Sequence, residues 1–120
     1  KRILVGDLNI APGEYDVWSH KQLLNVVSYT AIERERLKNF LNSGGWFDIV
    51  RLNNSSDKKL FSWWSYRSKD WKNSNRGRRL DHIFSSSDIT SKVKKVEICK
   101  ELRDIDKPSD HVPIIVDIEI

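Results

Sequence analysis

The sequence has no methionine, a single cysteine, three prolines and five glycines. The lone Cys99 excludes an internal disulfide and fits a reducing compartment. With only three histidines beside it, it leaves no Cys/His set for a structural zinc site, and a packed strand residue is expected instead. No apolar run approaches the roughly 20 residues that a membrane-spanning helix needs, so no membrane partner is expected. There are no internal repeats or low-complexity tracts. The absence of methionine, together with an apolar strand that begins at once, leads us to expect a piece of a longer chain.

At 120 residues the chain is expected to be one domain with a modest core. Its net charge of +4 is unevenly spread. Between Asp57 and Asp81, Lys58, Lys59, Arg67, Lys69, Lys72, Arg76, Arg78 and Arg79 face only Asp57, Asp70 and Asp81. That excess is larger than the charge of the whole chain, and Trp63, Trp64 and Trp71 lie within it. Clustered cations with interleaved aromatics are the electrostatic footprint of a phosphate-rich partner; a solvated charged loop is the alternative.

Several segments declare their structure. Arg2 to Gly6 reads as a short buried strand. Glu14 to Ser28 keeps no period. Thr30 to Ser43 reads as the main helix, with a Thr30/Glu33 capping box, a stripe of Leu37, Phe40 and Leu41, and Gly44-Gly45 as its stop. Trp46 to Arg51 is ambiguous between strand and turn. Leu60 to Tyr66, Leu80 to Ser85, Val93 to Cys99 and Pro113 to Ile120 read as strands. One clear helix cannot cover both faces of five or six strands, so one apolar face is expected to be left for a partner.

Three acidic elements stand at strand ends: Gly6-Asp7-Leu8-Asn9, Arg79-Leu80-Asp81-His82 and Ser109-Asp110-His111. Side chains at neighbouring strand ends converge on one rim, which suits metal-assisted hydrolysis: carboxylates hold a divalent cation and a histidine handles developing charge. Asp7 can align a water or ligate the metal, and Asn9 can donate to a phosphate oxygen. His111 can polarise the phosphate or protonate the leaving oxygen once a carboxylate fixes its tautomer, and Asp81 and Asp110 both qualify. Strand alternation sends His82 to the opposite face as a packed histidine. Nothing ties His20 to the site. Trp63 and Trp64 face opposite sides of their segment, one toward the core and the other toward the rim. Trp71 is open to two readings, a residue wedged into DNA or a plug anchoring the loop. Arg67 is a phosphate-contact candidate, and Arg76, Arg78 and Arg79 would hold backbone phosphates.

The stretches G-D-L-N-I-A-P, F-S-W-W-S-Y-R-S, R-G-R-R-L-D-H-I and K-P-S-D-H-V-P resemble the exodeoxyribonuclease III branch of the exonuclease–endonuclease–phosphatase superfamily, which includes the apurinic/apyrimidinic (AP) endonucleases. The first and last elements are shared across that superfamily, and the middle two are narrower. The resemblance implies an α/β fold, a mixed β-sheet with helix cover forming half of a four-layer, DNase I-like αββα sandwich. It implies that residues 1–120 correspond to the C-terminal half of the catalytic domain. It also implies Mg2+-dependent phosphodiester hydrolysis of double-stranded DNA at abasic sites or 3′ ends, with Mn2+ as an alternative ion and a cytoplasmic, nucleoid-associated setting in a bacterium.

On the resemblance, Asp81 pairs with His111; Asp7, Asn9, Asp110 and His111 stand around the metal, with Asp7 and Asn9 at the attacking water and phosphate; and Trp63 packs against the sugar at an abasic position. Two departures follow from it. Ser65 stands where the family usually has an acidic residue. The metal-ligating glutamate, the asparagine and the tyrosine of the family's other half have no counterpart, since Glu14, Glu33 and Glu35 lie in the wrong context. An N-terminal half of the same fold is therefore an expected partner. A catalytically inactive DNA-binding or assembly fragment is the competing reading. A relative acting on small phosphoesters is disfavoured, because a small substrate needs no extended cationic rim.

Overall fold

The computed structural model describes residues 1–120. The elements in chain order are β1 (Ile3–Asp7), α1 (His20–Leu23), α2 (Ala31–Gly44), β2 (Phe47–Asp48), α3 (Ile49–Leu52), α4 (Trp71–Ser74), β3 (Asp81–Ser85), α5 (Ser87–Thr90), β4 (Val93–Ile98) and β5 (Ile114–Ile118). The α/β class and the helix cover agree with the sequence reading. The sheet is more divided than expected. One sheet has the order β1-β3-β2 and the other pairs β4 with β5, and every pair is antiparallel. A short helical turn, α5, lies between β3 and β4, so the chain leaves the first sheet before β4 begins.

Leu60 to Tyr66 does not form the expected strand. Trp63 alone makes single-residue bridges, to Arg78 on one side and to His111 on the other. The ladder fails because the chain turns at Ser65, whose carbonyl and hydroxyl accept from the amides of Ser68 and Arg67. The segment nevertheless stitches the approach to β3 to the approach to β5: Ser62 N donates to Arg78 O, and Val112 N to Ser62 O, both at 2.9 Å. Gly77 is needed beside it, since a Cβ there would come within 2.6 Å of the Phe61 ring.

The main helix starts and stops as its sequence dictates. Thr30 Oγ1 accepts from Glu33 N, Glu33 reaches back to the Thr30 amide, and Gly45 closes the helix at φ 66°. Such caps contribute about 1 kcal/mol each. The aperiodic Glu14–Ser28 stretch is a 3₁₀ turn, the short α1 and a loop with Asn25 and Ser28 in the left-handed region. Two apolar clusters form the core. One joins Ala11, Val17, Leu23, Tyr29 and Leu80; the other joins Phe61, Trp64 and Val112; and Trp18 packs against both.

The two faces of the first sheet differ. Leu4 pairs with Phe84 and Gly6 with His82, and Phe84 and His82 are buried. The alternate positions carry Ile3 and Val5, which are exposed (46% and 64%). The bare apolar face expected from the scarcity of helix is therefore present on β1, and Ile115 on β5 is exposed as well.

Candidate active site

Asp7 and Asp81 are the last registered pair of β1 and β3. Antiparallel pairing therefore delivers both carboxylates to the same face at the same sheet end. Like charges directly opposite are destabilising, and here an imidazole comes between them. His111 Nδ1 lies 2.8 Å from Asp81 Oδ2, and Nε2 lies 3.6 Å from Asp7 Oδ2. A carboxylate only accepts, so Nδ1 carries the proton donated to Asp81. At 3.6 Å, Nε2 is beyond hydrogen-bonding reach of Asp7 and its capacity is unspent. Burial pulls the imidazolium down, but the bond and charge of Asp81, with the charges of Asp7 and Asp110, outweigh it. The His111 pKa is raised above the ordinary histidine value.

The loop geometry is equally specific. Asn9 sits in the left-handed region at φ 53°, a conformation that asparagine tolerates, and its amide donates to Asp7 Oδ1 at 3.0 Å. Its side chain is exposed at the rim. His111 N donates to Ser109 Oγ, and Trp64 N to Asp110 O at 3.0 Å, which holds the Ser109–His111 loop against the stitching segment. Tyr66 Oη anchors the same loop through Pro108 O at 2.7 Å. A groove of about 360 Å3 lined by Val5, Asp7, Asp81, Ile83, Val112 and Ile114, among others, runs from the acids along the bare sheet face.

Asp7, Asp81 and His111 thus come together, with ligating atoms within 4.8 Å of one another. Asp110 stands apart from that trio, with Oδ2 accepting the indole N–H of Trp63 at 3.0 Å. Trp63 is half-buried against the core, while Trp64 is buried. His82 is buried on the opposite face and bonded to Ile10 O, away from the acids. His20 bonds to Tyr29 Oη. Cys99 is buried.

The arginines divide. Arg67 and Arg76 are exposed, and Arg76 stacks over Trp18 at 4.7 Å. Arg78 turns inward, donating to Val27 O and Ser28 Oγ and lying over the Trp63 ring. Arg79 corrects the sequence reading. Expected on a phosphate, it is fully buried, held by Asp16 at 2.7 Å and by both oxygens of Asp48 at 2.9 and 2.7 Å. Trp71 packs edge-on against Trp64 at 5.4 Å, under Arg103 and Lys100, in the position of a plug. Ser62 is a site residue that the sequence reading misses, yet its hydroxyl reaches Asp81 Oδ2 at 2.7 Å. Its signal in the chain is a small polar residue set among Phe61, Trp63 and Trp64.

Residues 1–111 match the Endonuclease/Exonuclease/phosphatase family. The chain belongs to that family. Among similar members, exodeoxyribonuclease III of Haemophilus influenzae is 34% identical over 117 residues, covering 93% of this chain and 43% of that protein. An AP endonuclease from Archaeoglobus fulgidus superposes with a TM-score of 0.92 at 26% identity, over 98% of this chain and 45% of that one. A 3′ phosphatase from Neisseria, solved with a product DNA hairpin, gives 0.90 at 27% identity, over 98% and 45%. The chain therefore spans less than half the length of the family members it matches. Its α/β architecture is that of about half of the DNase I-like fold these neighbours share.

Proposed function

We propose that this chain is the C-terminal half of a catalytic domain that hydrolyses phosphodiesters of double-stranded DNA, as a 3′-to-5′ exonuclease and AP endonuclease in base-excision repair. The observation that carries the reading is the Asp81–His111 pair, with its free Nε2 turned toward Asp7 at one sheet end. The names of the similar proteins support a nuclease acting in DNA repair. A DNA substrate would place the protein with the bacterial nucleoid.

The donor set suits a hard divalent cation. Asp7 and Asp110 each keep a carboxylate oxygen without a protein partner, since Asn9 N and Trp63 Nε1 occupy only one oxygen of each. The Asn9 side chain adds a neutral oxygen. Oxygen-only donors that leave room for waters fit Mg2+, with Mn2+ next. Asp7, Asn9 and Asp110 would hold the ion, with His111 beside it. When bound, it supplies positive charge to offset that of the phosphate.

The protein's own groups do the rest. Asp81 accepts from Nδ1–H, so His111 presents Nε2 to substrate, and the imidazolium form, which the neighbouring carboxylates favour, donates from Nε2 to a phosphate oxygen. Asp7 accepts a proton from the attacking water or orients it. The Asn9 side-chain NH2 donates to a second phosphate oxygen. The Trp63 ring offers an apolar surface that a sugar lacking its base can reach. Arg67 and Arg76 meet backbone phosphates. The bare face of Ile3 and Val5 packs against the other half of the fold.

Incision of an abasic-site duplex by the intact protein tests this reading. Cleavage that chelation abolishes and Mg2+ restores is the expected result. No incision by the intact protein, or incision unaffected by His111→Ala, would overturn it.

A further inference from the structure

The Ser62 hydroxyl has three hydrogen-bond partners inside the protein. The residue is completely buried, and its main chain is clamped on both sides, to Arg78 and to Val112. Its Oγ accepts from two backbone amides, Leu80 N at 3.0 Å and Asp81 N at 3.1 Å. A hydroxyl has one proton and two lone pairs. With both lone pairs taken, the proton has one destination, Asp81 Oδ2 at 2.7 Å. That length is an ordinary O–H···O hydrogen bond.

We propose that Ser62 is a positioning residue that locks the carboxylate of Asp81 and thereby sets the tautomer and aim of His111. This deepens the nuclease reading above and rests on it. Asp81 Oδ2 receives two donors, the Ser62 hydroxyl and His111 Nδ1–H. Because the hydroxyl has no lone pair left, it cannot turn round and accept a proton from Asp81. The carboxylate is therefore held as an acceptor, and His111 must donate from Nδ1 and present Nε2. Without the hydroxyl, the Asp81 carboxylate is a soft, roughly two-fold rotor. It can then swing away from the imidazole, and the other tautomer becomes accessible. A second consequence follows from where Ser62 sits. Its main chain bonds both the approach to β3, which carries Asp81, and the approach to β5, which carries His111. One residue thus sets the spacing of the pair as well as its polarity.

The simpler alternative is that Oγ only satisfies two buried amides. That role would cost stability when removed but would leave the tautomer and turnover alone. Ser62→Ala and Ser62→Thr in the intact protein separate the two. The readouts are the nitrogen and proton NMR signature of the His111 ring in metal-free protein, kcat and KM on an abasic duplex with Mg2+, and equilibrium unfolding. Ser62→Ala is expected to lose the hydrogen-bonded Nδ1–H signal and to lower kcat about 10- to 100-fold with KM within about twofold, the range seen when partners one step behind a site are removed. Ser62→Thr, which keeps the hydroxyl, is expected to retain both. If Ser62→Ala does not fold, Ser62→Cys reads the same loss, because sulfur still accepts from the amides but donates weakly. Loss of stability with the Nδ1–H signal and kcat unchanged overturns the proposal. If the unmodified protein cuts no DNA, the nuclease reading fails, and the ring signature still decides the role of Ser62.

Discussion

The indole N–H of Trp63 donates to Asp110 Oδ2 at 3.0 Å. The aromatic ring expected to meet the sugar therefore also holds the acid expected to meet the metal. A Trp63→Phe substitution separates these roles, because it keeps an aromatic ring and removes the donor. We expect turnover on abasic duplex to fall about 10-fold or more and the Mg2+ requirement to shift to higher concentration, with DNA affinity little changed. A Mg2+ titration of the incision rate checks it. An unchanged titration would show that the bond does not tune Asp110.

Asp81 and His111 share one hydrogen bond, so their losses should not add. Each alanine variant is expected to lower turnover by several orders of magnitude, and the double variant little further. Single-turnover cleavage by the two single variants and the double variant forms the cycle. Multiplicative losses would mean that the two act independently.

Arg76 and Arg78 should behave differently, although they are two residues apart. Exposed Arg76 is expected to contribute a phosphate contact, so Arg76→Ser should reduce the slope of log affinity against log salt by about 0.9. Arg78 is bonded to Val27 O and Ser28 Oγ. Arg78→Ser should therefore loosen the 24–28 loop and lower stability, with a smaller effect on the salt slope. Binding isotherms at several salt concentrations, paired with unfolding curves, distinguish them.

Arg79→Met is expected to cost about 3–5 kcal/mol of stability, because it removes the cation that Asp16 and Asp48 share and leaves Asp16 with Arg51 alone. Desolvation works against the Asp48 carboxylate, yet Arg79 lowers its pKa below the ordinary value. The denaturant midpoint of the variant is the measurement. A midpoint close to that of the parent would mean that the surrounding groups compensate.

His82 should impose an acid limit on stability. Burial, with the nearby Arg79 charge, lowers its pKa below the ordinary 6.5. Nε2 donates to Ile10 O, and Nδ1 is buried without a partner, so a second proton has nowhere to go. The folded state therefore binds this proton less readily than the unfolded chain. The stability contribution is complete above pH 6.5 and is lost as pH falls from there toward the lower folded value. His82→Phe should remove this limb while costing about 1–3 kcal/mol at neutral pH for the orphaned carbonyl. Unfolding curves across the acid range provide the check.

Much of this is legible in the chain. Thr30, Glu33 and Gly45 mark the ends of α2 because capping chemistry is local. Asp7 and Asp81 can be placed at strand ends because apolar runs adjoin them, and alternation correctly sends His82 away from Asp81. The resemblance carried by G-D-L-N and S-D-H points to the family. Leu60 to Tyr66 reads wrongly as a strand because its strand-forming composition says nothing about the turn at Ser65.

What the sequence alone determined are the features set by nearest neighbours: helix ends, strand polarity, the order of the acidic elements and the excess of positive charge before Asp81. What only the tertiary structure decided is the use made of each polar or aromatic side chain. Arg76 and Arg79 look alike in sequence, yet one lies in water and the other is enclosed by Asp16, 63 residues away, and by Asp48. Trp71 becomes a plug because Trp64 and Arg103 surround it. Ser62 acquires its single hydrogen-bond direction from amides 18 and 19 residues distant. Burial and hydrogen-bond direction depend on groups that folding brings together, and no local pattern encodes them.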